Sequence, residues 1–215
     1  MNAPIIKAPI THAPDLQNIV AGFDHEAFGS QAVFRVALNA LSHPGRVFDM
    51  PLDTALPRQG HGAAAALLLG MLDADTTLWL SPALASSDAP AWLRFHTGCQ
   101  IVSDASAAQF LWVEQGDGMP QLTSLQMGSD AYPDQSATCV LEVGGLQDDA
   151  GGWRLQGPGI PSERYLNALG LPSDFAAQWA NNHASFPRGV DVFLSTATHI
   201  AGVPRTTRIL IDSES

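Results

Sequence analysis

Residues 62–82 read GAAAALLLGMLDADTTLWLSP, and this stretch decides the fold class. Gly62–Leu72 is apolar nearly all round, which predicts a helix buried on most sides rather than one lying on a surface. Asp73-Ala74-Asp75 is turn chemistry, although two carboxylates at this spacing also resemble a divalent-ion dyad. Thr77-Leu78-Trp79-Leu80 has the β-branched and aromatic composition of a strand, closed by Ser81-Pro82. A buried helix that runs through a short turn into an apolar strand is the repeating unit of an α/β sheet.

The same reading extends in both directions. Upstream, Phe28, Ala32, Val33, Val36, Ala37, Ala40 and Leu41 recur at spacings of three and four. They predict an amphipathic helix over Glu26–Ser42, with Asp24 as its N-cap and His43-Pro44-Gly45 as its stop. Residues 1–22 carry Pro4, Pro9 and Pro14 without a sustained period, and predict an extended arm. Downstream, Ala91–Arg94 predicts a short helix running into Phe95–Gly98. Strands follow at Gln100–Val102, Leu111–Glu114, Ala137–Val143, Trp153–Gln156, Val190–Ser195 and Arg205–Ile211. Helices are predicted at Ala105–Phe110, Pro120–Met127, Glu163–Leu169 and Ser173–Ala184. The alternation predicts one α/β domain over residues 1–215, with a sheet covered on both faces.

Composition narrows the function classes. The 215 residues are 46% hydrophobic and 14% charged, which excludes a disordered chain and leaves enough apolar mass for a core without disulfides. The formal charge is −11, from 10 Lys+Arg against 21 Asp+Glu. Nucleic acid and anionic membranes demand a positive field that this chain lacks. The two cysteines, Cys99 and Cys139, form no CxxC and fit a reduced compartment. Met1–Ile10 lacks the basic end and apolar run of a signal peptide. The longest apolar run, Ala63–Leu72, falls short of the ~20 residues of a membrane span. These features predict a soluble, cytoplasmic protein. Lys7 is the only lysine and lies in the Pro-punctuated arm, a poor place for the Schiff base that a pyridoxal phosphate enzyme needs.

Four short motifs are candidates for a site. Arg94-Phe95-His96-Thr97-Gly98 puts a guanidinium, an imidazole and a hydroxyl within five residues, and a guanidinium binds phosphate or phosphonate bidentately. His96 and Cys99 have metal-ligand spacing but no second pair, so no metal site is expected. Gly157-Pro158-Gly159-Ile160-Pro161-Ser162 follows a strand and offers either an anion cradle or a tight turn. It fails as a dinucleotide fingerprint at Ser162, and its prolines lack the N–H groups a phosphate needs. Ser42-His43-Pro44-Gly45 is accounted for as a helix stop but also presents Ser42 on a rigid loop. Pro204-Arg205-Thr206-Thr207 carries a cation at a strand end. There is no Walker A motif, no Gly-x-Ser-x-Gly elbow and no HExxH, so no catalytic residue is assigned. Three classes remain open from the residues. One is a partner-dependent subunit. Another is an anion-binding protein using Arg35, Arg94, His96 and the Gly157–Gly159 turn. The third is a transferase or hydrolase using His96 or Asp191.

Several segments, taken together and in order, resemble one family. They are Val33-Phe34-Arg35 with Ala40-Leu41-Ser42-x-Pro44-Gly45; Leu78-Trp79-Leu80-Ser81-Pro82-Ala83; Leu93–Gly98; and Gly128-x-x-x-Tyr132-Pro133-x-x-Ser136-Ala137-Thr138. Further on come Leu155-x-Gly157-Pro158-Gly159-Ile160, Phe186-Pro187-x-Gly189-Val190-Asp191 and Pro204-Arg205-Thr206-Thr207. The resemblance is to the H subunit (PhnH) family of the bacterial carbon–phosphorus lyase system, over about Phe28 to Ile211. It implies a three-layer α/β fold with a mainly mixed central sheet, like the large domain of pyridoxal phosphate-dependent transferases but without the cofactor. It also implies a homodimer that joins the G, I and J subunits. That machinery displaces adenine from ATP with an alkylphosphonate, giving a ribose 1-phosphonate 5-triphosphate; in this family the chemistry is attributed mainly to the other subunits. The candidate ligand-binding or interface residues are therefore Arg35, Ser42, Pro44, Gly45, Arg94, His96, Thr97, Gly157, Gly159, Asp191, Arg205 and Thr206.

Overall fold

The computed structural model describes residues 22–23, 25–52, 55–148 and 151–210. The arm through residue 21 with its Lys7, the Asp24 cap and the strand end at Ile211 lie outside the described residues. The elements run α1 (Glu26–Ser42), β1 (Phe48–Asp49), α2 (Gly62–Met71), β2 (Thr77–Leu80), α3 (Pro82–Ala85), α4 (Ala89–Thr97), β3 (Gln100–Ile101) and β4 (Phe110–Val113). They continue with β5 (Thr138–Glu142), β6 (Gly145–Gln147), β7 (Trp153–Gln156), β8 (Arg164–Leu169), α5 (Phe175–Ala184), β9 (Asp191–Ser195), β10 (His199–Val203) and β11 (Arg208–Leu210).

Seven strands form a central sheet in the order β1-β10-β9-β5-β4-β2-β3. The pairs from β9 through β5, β4 and β2 to β3 are parallel, and β10 runs against both neighbours, so the sheet is mixed. Strand alternation splits the core in two. Leu78, Leu80, Trp112, Val140, Phe193 and Ile200 face a layer built by α1, α2, α3 and α4. Leu111, Val113, Cys139, Leu141, Val192 and Leu194 face the other way. There the cover is not a helical layer, as the sequence pattern predicts. It is α5, through Phe175 and Trp179, together with a second antiparallel sheet in the order β11-β7-β8-β6. As its all-round apolarity requires, Ala63–Leu68 of α2 are fully buried.

Three local expectations fail, and β1, α3, β6 and β10 are elements the sequence pattern does not predict. Glu163–Leu169 is the strand β8, not a helix, because its apolar residues fit either period and pairing with β7 and β6 decides. Ala105–Phe110 is a 3₁₀ turn at Ala105–Ala107, and Phe110 already pairs in β4. Pro120–Met127 holds only a 3₁₀ turn at Leu122–Ser124, after which Met127 bridges to Ser136. The strand β10 is not predicted at all. Its Ala201-Gly202 dilutes the β signal for a packing reason: a Cβ on Gly202 would lie 2.6 Å from the Ala40 backbone, so only glycine lets α1 approach this close. No helix among the described residues is long and apolar enough to cross a membrane.

Candidate functional site

The residues singled out from sequence fall into three places. Arg94, His96 and Thr97 sit on α4, which packs against α2, α3 and β3 near one edge of the sheet. Thr97 Oγ1 donates to Leu93 O at 2.8 Å and accepts from Cys99 N, so it closes the helix locally. His96 packs edge-on to Trp92 and Phe95. Burial pushes the Cys99 thiol up, offset in part by the Thr97 hydrogen bond and the Arg94 charge. Arg35 projects from α1 into solvent. The atoms nearest to Gly157 and Gly159 belong to Ser42, Pro44, Thr206 and Thr207, not to Arg35 or α4. Asp73 and Asp75 form the expected turn, with Asp75 N donating to Asp73 Oδ1.

The second place is a junction of backbone turns. A Cβ on Gly159 would lie 2.2 Å from Ser42 O and 3.0 Å from Pro44 Cδ, and the φ of Gly159 is +82°. A Cβ on Gly157 would lie 2.8 Å from Thr206 O. The turn after β7 is thus wedged between the end of α1 and the Pro204–Thr207 turn, and Pro44 and Gly45 are buried beneath it. Ser42, Pro44, Gly45, Gly157, Gly159 and Thr206 meet here through close backbone packing, with Ser42 and Gly159 exposed at the surface.

The third place adjoins the second. Arg205 lies at the N-terminal ends of β5 and β9, and its guanidinium is fully engaged. Nε donates to Asp191 Oδ1 and NH2 to Asp191 Oδ2, at 3.1 and 2.6 Å. NH1 donates to the carbonyls of Pro133 and Pro187, and NH2 also to Ser136 Oγ. A guanidinium has five N–H donors, and these five bonds use them all. From α5, Trp179 Nε1 donates to Thr207 O and His183 Nδ1 to Arg205 O. Above this rigid floor opens a depression of about 400 Å³. Pro133, Phe186, Pro187 and Pro204 give it apolar walls, with Asp134, Asp191, Arg205 and Thr206 as its polar members. Phe186 is 60% exposed and the neighbouring Tyr132 59%.

The C-terminal ends of the strands hold residues that sequence reasoning missed. The five parallel strands lie in the order second, first, third, fourth, fifth, which sets the topological switch between β2 and β4, where open α/β sheets ordinarily bind ligands. Among the described residues, the chain's own groups bridge that crevice. Glu142 is buried, and its Oε1 accepts from His61 N and from Trp112 Nε1, the latter at 2.9 Å. His61 Nδ1 donates to Ser195 O, and Gln59 Nε2 donates to both oxygens of Glu114. Glu114 N donates to Ser81 Oγ, and Asp117 accepts from Ala83 N. The space left beside Glu114 and Glu142 is about 20 Å³, room for a single water. The signal was a polar residue at the C-terminal end of each apolar strand: Ser81 and Glu114 directly after β2 and β4, and Glu142 as the last residue of β5. Cys139 offers no nucleophile, since burial and the Asp191 carboxylate push its thiol up to about 12. Among the described residues no cluster of three or more His, Cys, Asp or Glu is arranged to hold a metal ion.

Comparison with known proteins fixes the relationship. Residues 21–210 match the family described as bacterial phosphonate metabolism protein (PhnH). The chain belongs to the PhnH family. Over 189 residues, 87% of this chain and 93% of the relative, it is 36% identical to the alpha-D-ribose 1-methylphosphonate 5-triphosphate synthase subunit PhnH of Rhizobium meliloti (strain 1021). Over 183 residues, 83% of this chain and 85% of the relative, it is 34% identical to the putative C-P lyase subunit protein HtxG of Stutzerimonas stutzeri. Three of the segments that carry the sequence resemblance to PhnH, around Pro133, Phe186-Pro187 and Pro204-Arg205-Thr206, come together at the depression.

Proposed function

We propose that this chain is an accessory subunit of a cytoplasmic carbon–phosphorus lyase complex, needed for phosphonate breakdown and acting through what it docks against. The observation that carries this reading is the contrast between the two ends of the parallel strands. The end where an α/β enzyme would hold its substrate is filled by Glu142, Trp112 and His61. The opposite end offers an open apolar surface beside a guanidinium with no donor left for an anion. The relatives named as subunits support the same reading.

Within it, the chain forms a single α/β domain like the large domain of pyridoxal phosphate-dependent transferases, used without the cofactor; the seven-stranded sheet with one reversed strand supports this. It forms a homodimer and joins the G, I and J subunits. The face of α1 suits the dimer contact. Phe34 and Leu38 lie one turn apart and half exposed, and residues 27–42 contain no carboxylate. Contact there brings together none of the excess negative charge. Co-expression with the G, I and J subunits should yield one co-eluting complex, in which the chain is present in stoichiometric amount. If the other three assemble and this chain elutes apart from them, or if the isolated chain turns over ATP and an alkylphosphonate, the reading fails.

A further inference from the structure

Resting on that reading, we infer that the depression at the N-terminal ends of β5 and β9 receives an apolar side chain of a different subunit, carried on a segment with a Lys or Arg beside it. The apolar part follows from the walls. Pro133, Pro187 and Pro204 are conformationally restricted, and Phe186 stands over them already exposed, so little ordering is lost on contact. A small anion finds no free guanidinium N–H here, because Arg205 spends its five N–H groups on Asp191, Ser136 and two carbonyls.

The cationic part follows from the charge balance. Asp191 is matched by Arg205, and Asp130 by Arg188 at 3.4 Å. Asp134 is exposed on the rim and has no ion pair among the described residues. The local excess is negative on a chain of net charge −11. Across a two-fold axis that excess would face its own copy, so a second copy is a poor occupant and a basic segment of another subunit a good one.

The test uses the full-length chain and the co-expressed G, I and J subunits as the probe. Phe186→Asp and Asp134→Arg should each weaken binding by roughly tenfold or more, as expected for a central anchor and a facing charge pair. Both positions are exposed, so both variants should melt within a few degrees of the parent. Added NaCl should weaken the parent's binding more than that of Asp134→Arg. The inference is overturned if both variants bind within twofold of the parent. It is equally overturned if Phe186→Asp splits the homodimer and leaves the larger assembly intact, since the occupant would then be a second copy. A parent chain that does not bind at all would sink the accessory-subunit reading instead.

Discussion

At their C-terminal ends β4, β5 and β9 close on their own side chains, whereas at the N-terminal ends of β5 and β9 the surface stays open. Both ends contain a carboxylate that accepts several hydrogen bonds, Glu142 at one and Asp191 at the other. The difference is what those bonds hold. Glu142 takes the first free N–H before α2 and the indole of Trp112, so it ties a helix start to the sheet in the place a ligand would occupy. Asp191 takes Arg205, which reaches on to the carbonyls of Pro133 and Pro187 and braces a surface without covering it. One end is filled by the chain's own side chains, and the other is braced but left open.

The largest effect should come from breaking the closed end. Glu142→Ala strands two donors, the buried Trp112 indole and the partly buried His61 N–H, and at 1–3 kcal/mol for each the loss should be about 2–6 kcal/mol. Urea unfolding at neutral pH measures it, and Glu142→Gln, which keeps an acceptor oxygen, should lose less. A loss under about 1 kcal/mol would mean that Glu142 does not hold this end shut.

Next in size is the open end. Arg205→Ala leaves the Asp191 carboxylate without its partner. The two side chains are 12% and 22% exposed, so water relieves part of the cost. The expected loss is about 2–3 kcal/mol, below the figure for a fully buried pair. Arg205→Lys should recover only part of it, because a point charge cannot reach all the acceptors at once. The two ends should also separate in binding: Arg205→Ala slackens the walls of the depression and should weaken capture by the G, I and J subunits. Glu142→Gln should leave capture unchanged per folded molecule. Equal losses of binding in both would erase the distinction between the ends.

A smaller effect is read through pH. Cys139 lies in β5 next to the open end, and burial first, then repulsion from Asp191, pushes its thiol up from 9.0 to about 12. The folded state therefore keeps a proton that the unfolded chain releases. Stability from this group is complete below pH 9 and falls as pH rises towards 12, by up to about 1.4 kcal/mol per pH unit. Cys139→Ala should lack that contribution, so its deficit relative to the parent should shrink between pH 9 and 11. A constant deficit would show that the thiol is not held neutral. Below pH 9, thiol reagents should leave Cys139 unmodified until the chain unfolds.

How much of this was legible in the sequence depends on whether a signal was local. The helix Gly62–Met71 and strand Thr77–Leu80 were, because apolarity on all sides and β-branched composition are properties of a short window. So was the end of α1 at Ser42. The strand β8 was not, since Arg164–Leu169 fits both periods until its neighbours are known. Nor was β10, whose Gly202 is dictated by Ala40, 162 residues earlier in α1. At the site, Asp191, Arg205 and Thr206 stand out by their chemistry, yet only the fold shows that the Arg205 guanidinium has no donor to spare. His61, Glu142 and Trp112 escaped because each looks ordinary alone. Their meaning lies in a crossover that puts residues 61, 112 and 142 at one strand end.

The smallest effect probes whether the closed end is a plug or a gate. Gln59 bridges to both oxygens of Glu114 at 2.7 and 3.0 Å from a partly exposed position. Water can replace it there, so Gln59→Ala should cost no more than about 1 kcal/mol. Trp112 and Glu142 stay in place beneath it, and the space behind them still admits only a water-sized guest. Calorimetry with ATP, and separately with methylphosphonate, should therefore show no binding to Gln59→Ala. Heat that appears in this variant and not in the parent would mean that Gln59 closes a real pocket. The C-terminal end of the sheet would then have to be counted as a ligand site after all.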